Sequence, residues 1–112
     1  HKSPYRELMQ KSDNAIRMAS SFLVVGFGFN DEHITPLVGK MIKSGIPIVV
    51  VTMKVSPTTE MELRQAKKVI YVEADTDISK SRIRIIENGT TIIDTVLNGN
   101  YWKLNHFMDI LQ

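Results

Sequence analysis

The residues best equipped for chemistry run from Gly26 to His33, "GFGFNDEH", directly after the apolar stretch "FLVV". Two glycines one residue apart let a backbone turn tightly and approach a ligand closely. Glycine pairs at a strand end often cradle phosphate, yet Asp31 and Glu32 follow at once, and carboxylates repel it. Asp31 also stands where the dinucleotide fingerprint Gly-x-Gly-x-x-Gly needs its third glycine. A carboxylate at that place suits ribose hydroxyls, which can donate to it. Phe27 and Phe29 flank Gly28, and large aromatics in a turn gain little unless they wall a pocket or pack a neighbour. The plainer alternative is a tight turn in which Asn30 or Asp31 caps a helix. The candidate binding residues are Gly26, Phe27, Gly28, Phe29, Asn30 and Asp31, with Thr52 at the end of the next strand.

Other chemistry is thinner. His33 beside two acids lacks the i, i+4 pairing of a helical zinc site and reads as a surface residue at a helix start. Glu73, Asp75 and Asp77 could form a divalent-ion loop, but the calcium-loop spacing and its glycine are missing, so a solvated acidic turn is expected. Trp102 could stack on a ligand; in the first turn of an amphipathic helix an aromatic is more often core. His106 falls on the polar side of that helix and His1 is terminal. No Ser–His–Asp set can be argued from spacing. The residues therefore assign no catalytic group and no metal site.

The elements that must position these residues follow from periodicity. A helix is expected over Tyr5 to Ala19, where Leu8, Met9, Ala15, Ile16 and Ala19 share a face, with Ser12-Asp13-Asn14 as a break or second cap. Phe22–Val25 suits a strand buried on both faces. The next helix starts either at Asp31 or at Thr35 with Pro36 first, carries Leu37, Val38, Met41 and Ile42, and stops at Gly45. "IPIVVVT", Ile46 to Thr52, is the strongest strand. Ser56-Pro57 opens a helix through Met61, Leu63 and Ala66 to Lys68, and Val69–Val72 is a third strand. This alternation predicts a parallel sheet, with ligands outside the carboxyl ends of its strands. Gly26 to His33 lies at one such end and Thr52 to Lys54 at the next.

The tail differs. "RIRIIENGTTIID", Arg82 to Asp94, is two β-rich runs joined by Asn88-Gly89, a type I′ hairpin signal. Asn100 can cap a last helix carrying Leu104, Phe107, Met108 and Leu111. The fold expected is α/β: half of a Rossmann-like doubly wound parallel sheet, followed by a C-terminal hairpin and a closing helix.

Composition sets the outer bounds. With 112 residues there is room for one domain, 1–112, and its 43% apolar and 23% charged residues match a globular one. The absence of cysteine excludes disulfides and thiolate zinc sites and fits a reducing, cytoplasmic setting. No apolar run approaches the roughly 20 residues of a membrane span. Asn88-Gly89-Thr90 matches a glycosylation acceptor but reads as the turn. A net charge of +2, with basic residues spread along the chain, argues against nucleic acid as a direct partner. The chain opens His-Lys-Ser without an initiator methionine, which reads as a fragment, a processed product or a trimmed form of a protein.

"FLVVGFGFNDEHI" resembles the loop of the divergent sirtuin-like proteins of prokaryotes. Their pattern is an apolar strand, Gly, Tyr or Phe, a small residue, an apolar residue, any residue, Asp, and an apolar residue three positions on. Gly26, Phe27, Gly28, Phe29, Asn30, Asp31 and Ile34 fill those positions in order. The closing "YWKLNHFMDIL" is similar to the aromatic-rich helix after the family's last strand. The likeness covers most of the chain from about residue 15. It departs from the Gly-Thr-Ser of the deacylase sirtuins, which speaks against deacylation.

The resemblance implies the NAD-binding half of a NAD+ hydrolase from an anti-phage defence protein. Gly26 to Asp31 would bind the dinucleotide, and Thr52 would meet its adenine-side ribose. The catalytic Asn and His would belong to a preceding half, so this stretch alone should release no nicotinamide. Homo-oligomerisation and a partner ATPase are further expectations of the same kind. The alternative is a non-catalytic module that binds a nucleotide signal such as a cyclic ADP-ribose-like molecule, or that serves oligomerisation.

Overall fold

The computed structural model describes residues 15–18, 23–26 and 36–110. β-Branched residues dictate its centre. Strand β3, Ile48–Val51, is buried at all four positions, because both faces of the sheet are covered. It pairs in parallel with β2, Leu23–Gly26, on one side and with β4, Lys68–Ala74, on the other. Strand alternation then divides the core in two. On one face Val25, Ile48, Val50, Val69 and Tyr71 pack with Ile42 of helix α1, Pro36–Lys43, and with Leu63 and Ala66. The last two follow helix α2, Pro57–Glu62. On the other face Val24, Val49, Val51 and Val72 pack with Tyr101 and with Leu104, Phe107 and Met108 of helix α3, Leu104–Ile110.

The loops follow from the residues that open and close each element. Pro36 is the first residue of α1, and Gly45, at φ +86°, donates to Ile42 O at 3.2 Å just past its end. Ser56 caps α2 by accepting from Thr59 N at 3.1 Å, with Pro57 next. Strands β5, Lys80–Glu87, and β6, Thr90–Asn98, complete the sheet antiparallel to β4 and to each other. Asn88 and Gly89 both take positive φ, 50° and 81°, as a two-residue primed turn requires. The molecule is thus an α/β domain on a mixed sheet with two parallel pairs, and its hairpin lies at the sheet edge. No helix among the described residues is long and apolar enough to cross a membrane.

Several expectations need correcting. The sheet is mixed, with parallel pairing confined to β2–β3 and β3–β4. Residues Ala15–Met18 are not helical: they form strand β1, antiparallel to β2. Four residues beyond the Ser12-Asp13-Asn14 break are too few to sustain a helix, and the open side of β2 offers them ladder hydrogen bonds. The rest of that expected helix lies outside the described residues. Helix α2 ends at Glu62 and passes through a 3₁₀ turn, Leu63–Gln65, so Lys68 begins a strand instead of ending a helix. Met61 accordingly stands 65% exposed while Leu63 is buried. Asn100 does not cap α3. Its carbonyl accepts from Lys103 N at 3.1 Å in a preceding turn, and α3 starts at Leu104.

Candidate functional site

Parallel strands end together, and their carboxyl ends leave a gap that loops must line. Here the gap is a cleft of about 700 Å³ beyond β3 and β4. Val51 to Lys54 form one wall, Glu73 to Thr76 the second, and Trp102 to Leu104 the third; Arg82 and Ile78 close the rim. Two backbone bonds hold the first walls together, Thr52 N to Val72 O at 3.1 Å and Ala74 N to Met53 O at 3.0 Å.

Trp102 is fixed by the loop before β5. Its Nε1 donates to Ile78 O at 2.7 Å, and its backbone N donates to Ser81 Oγ at 3.3 Å. The Ser81 hydroxyl, fully buried, donates in turn to Gly99 O at 2.7 Å. The loop is itself braced: Asp77 Oδ1 accepts from Ser79 Oγ at 2.6 Å and from Ser79 N at 3.0 Å. Those two bonds hold the Asp77 carboxyl below its ordinary pKa. Lys103 Nζ stands 5.6 Å from the centre of the Trp102 ring.

Behind the cleft, Arg84 gathers two carboxylates. Its Nε donates to Glu73 Oε1 at 2.9 Å and its Nη2 to Glu60 Oε1 at 2.8 Å, while its guanidinium lies 4.6 Å from the Tyr71 ring centre. The other Glu73 oxygen accepts from Val55 N at 3.0 Å. Burial works against the Arg84 charge, but the bonds to Glu60 and Glu73 outweigh it and its pKa is raised. Burial, with Glu60 adding to it against Arg84, pushes Tyr71 up to about 12, so its hydroxyl stays protonated. Neither group is an acid or base at neutral pH. Arg84 positions Glu73 at the cleft wall, and the Tyr71 ring packs against the Arg84 guanidinium.

The expected site residues are distributed as follows. Thr52 lines the cleft and is 9% exposed. Gly26 ends β2 opposite Val51, which lines the cleft, and lies against Leu104, which does too. Phe27, Gly28, Phe29, Asn30 and Asp31 lie outside the described residues, as does His33. The three acids do not converge. Glu73 is held by Arg84 and Asp77 by Ser79, while Asp75, which also lines the cleft, has no such side-chain bond among the described residues. Among the described residues no group of His, Cys, Asp and Glu is placed to hold a metal ion. Trp102 proves to be a cleft wall, and His106 is half-buried with Nδ1 2.6 Å from Asn100 Oδ1. Lys103 and Arg82 went unnoticed in the sequence. Lys103 had a signal in its neighbour Trp102; Arg82 reaches the rim only because β5 pairs with the end of β4.

Comparison of this chain with protein-family models, with curated proteins and with solved structures gives no match.

Proposed function

We propose that this chain is the NAD-binding half of a sirtuin-like NAD+ hydrolase, part of a cytoplasmic prokaryotic anti-phage defence protein. The observation that carries the reading is where the cleft lies. It opens at the carboxyl ends of two parallel strands, beside a third that ends in Gly26. Three parallel strands in sequence order, with helices between them, suit one mononucleotide-binding half of a doubly wound sheet. The loop that leaves Gly26 is the one whose residues resemble the family.

The cleft residues suit a nucleotide. Its volume falls within the roughly 300–1,000 Å³ of small-molecule sites. Trp102 offers a flat ring to a base, and Lys54 and Lys103 offer cations to phosphates. Asp75 and Thr52 offer oxygens to ribose hydroxyls. NAD supplies the leaving group of the reaction, its own nicotinamide. This chain's residues bind and orient the ribose–phosphate portion, and none of them is assigned as acid or base.

Calorimetric titration of the complete parent protein with NAD tests the proposal. Gly28→Val should abolish binding with the circular dichroism unchanged, because a side chain would intrude where backbone and ligand nearly touch. Asp31→Asn should weaken binding by about 1–3 kcal/mol if the carboxylate accepts from a ribose hydroxyl, and hardly at all if it only caps a helix. Undiminished binding by Gly28→Val would refute the assignment. Binding without nicotinamide release would favour the non-catalytic signal-binding module.

A further inference from the structure

Strand β6 is an edge whose protection is limited to one bulge, at Ile92, and one acidic residue. It has nine residues, every one exposed, and β5 is its sole neighbour among the described residues. Natural edges are kept apart by lysines, prolines or shortness. The sequence TTIIDTVLN contains no basic residue and no proline, and at about 3.4 Å per residue it runs roughly 30 Å. Its one charge, Asp94, is gripped by Arg82 through bonds of 2.9 and 2.7 Å. Ile93 and Leu97 remain 44% and 47% exposed.

We propose that β6 pairs antiparallel with β6 of a second copy of this chain, about a two-fold axis at Thr95. Two identical edges that pair antiparallel are related by an axis normal to the sheet, so one residue must face itself. With Thr95 at the axis, Ile93 opposes Leu97 of the other copy and Asp94 opposes Val96. Ile93, Thr95 and Leu97 share the α3 face of the sheet, since Thr95 registers with Ile83, which packs there. The apolar contacts would therefore continue an existing core layer. Other registers are poorer. An axis at Asp94 sets two like charges face to face, and an axis at Val96 leaves Ile93 opposite Gly99. An axis at Ile93 falls beside the bulge, where Ile85 opposes Ile93 but Ile86 opposes Thr91. Charge and side-chain pairing thus select one self-complementary arrangement.

The strip is narrow beside the roughly 800 Å² per partner of a standard interface, so half-association is expected at about 10–100 µM. Sedimentation equilibrium of the full chain should show that dimer. Thr95→Lys, which opposes two ammonium groups at the axis, should leave a monomer. Val96→Lys should keep the dimer, because the new cation, although registered with Arg82 of its own chain, faces Asp94 of the other copy. The chain has no cysteine, so Thr95→Cys introduces a single thiol. Opposed Cα atoms at about 4.5–5.5 Å lie within disulfide range, and mild oxidation should give a covalent dimer that Thr91→Cys does not. A monomer at about 1 mM overturns the proposal, whether the edge stays bare or takes another segment. So does a dimer that survives Thr95→Lys, or one that Val96→Lys dissolves. Should Thr95→Lys not fold, the Val96→Lys and Thr95→Cys results decide.

Discussion

Leu104 occupies the space that a β-carbon on Gly26 would need: its two methyl carbons lie 2.5 and 2.8 Å from that position. The end of β2 and the start of α3 meet there, at the back of the cleft. Gly26→Ala should therefore cost about 1–3 kcal/mol through overpacking. Adding Leu104→Ala should recover part of that loss, so the double variant is more stable than the sum of the singles. Urea unfolding of the four proteins measures it, and strict additivity would show that the two residues do not compete for space.

Arg84 is the cation for two carboxylates, with side-chain exposures of 16% for itself and 12% for Glu73. Arg84→Met should cost about 2–4 kcal/mol, because Glu73 is then left charged and half-buried without its partner. Glu73→Gln should cost less, since its amide oxygen can still accept from Val55 N. Chemical denaturation ranks the two, and equal losses would assign the cost to Glu73 alone.

Tyr71 predicts a pH dependence at the alkaline end. Its pKa is about 12 in the folded chain against 10.0 for the ordinary phenol, with burial as the main cause. The folded state therefore holds a proton that the unfolded state releases. This contribution is complete below pH 10 and is lost as pH rises toward 12. Tyr71→Phe should flatten that part of the decline in the denaturant midpoint. Identical slopes in both proteins would contradict a protonated, buried Tyr71.

The last prediction concerns the cleft wall. Ser81→Ala removes the buried hydroxyl that joins Gly99 O to Trp102 N and should cost about 1–3 kcal/mol, leaving two half-buried backbone groups without this partner. Trp102→Ala should change stability less and, under the proposed function, weaken nucleotide binding by about 1–3 kcal/mol, the worth of one stacked base. Intrinsic fluorescence is a convenient readout, Trp102 being the chain's single tryptophan. Nucleotide that leaves its emission unmoved would place the base elsewhere.

Elements with strong local chemistry were legible in the sequence. Ile48–Val51 within "IPIVVVT" is β-branched and buried, Ser56-Pro57 caps its helix, and Asn88-Gly89 turns its hairpin. What could not be read depends on partners far along the chain. Ala15–Met18 has a plausible helical face and becomes a strand because β2 offers it an edge. The end of α2 is set by where β4 must begin, since Ala66 is already extended. The strand-end rule did locate Thr52 and Lys54, because it depends only on topology. Arg84 gave no such sign: alternating Arg and Ile in "RIRII" reads as an ordinary half-exposed strand. Its hold on Glu60 and Glu73 exists only after α2, β4 and β5 have come together.

The strands stand in the sheet in the order in which they occur in the chain. That order has a kinetic consequence. β4, β5 and β6 form a meander joined by short turns, so their closure entropy is small. β2 and β3 can join only after whole crossover helices have been threaded between them. Folding should therefore begin in the β4–β6 meander, and β3 with β2 should dock onto it later. Replacing Gly89 with valine should slow folding, whereas Val24→Ala should chiefly hasten unfolding. Stopped-flow measurements on the two variants separate these effects. During synthesis β3, buried on both faces in the finished sheet, emerges before β4 and must wait for it, which makes it the strand in most need of shielding.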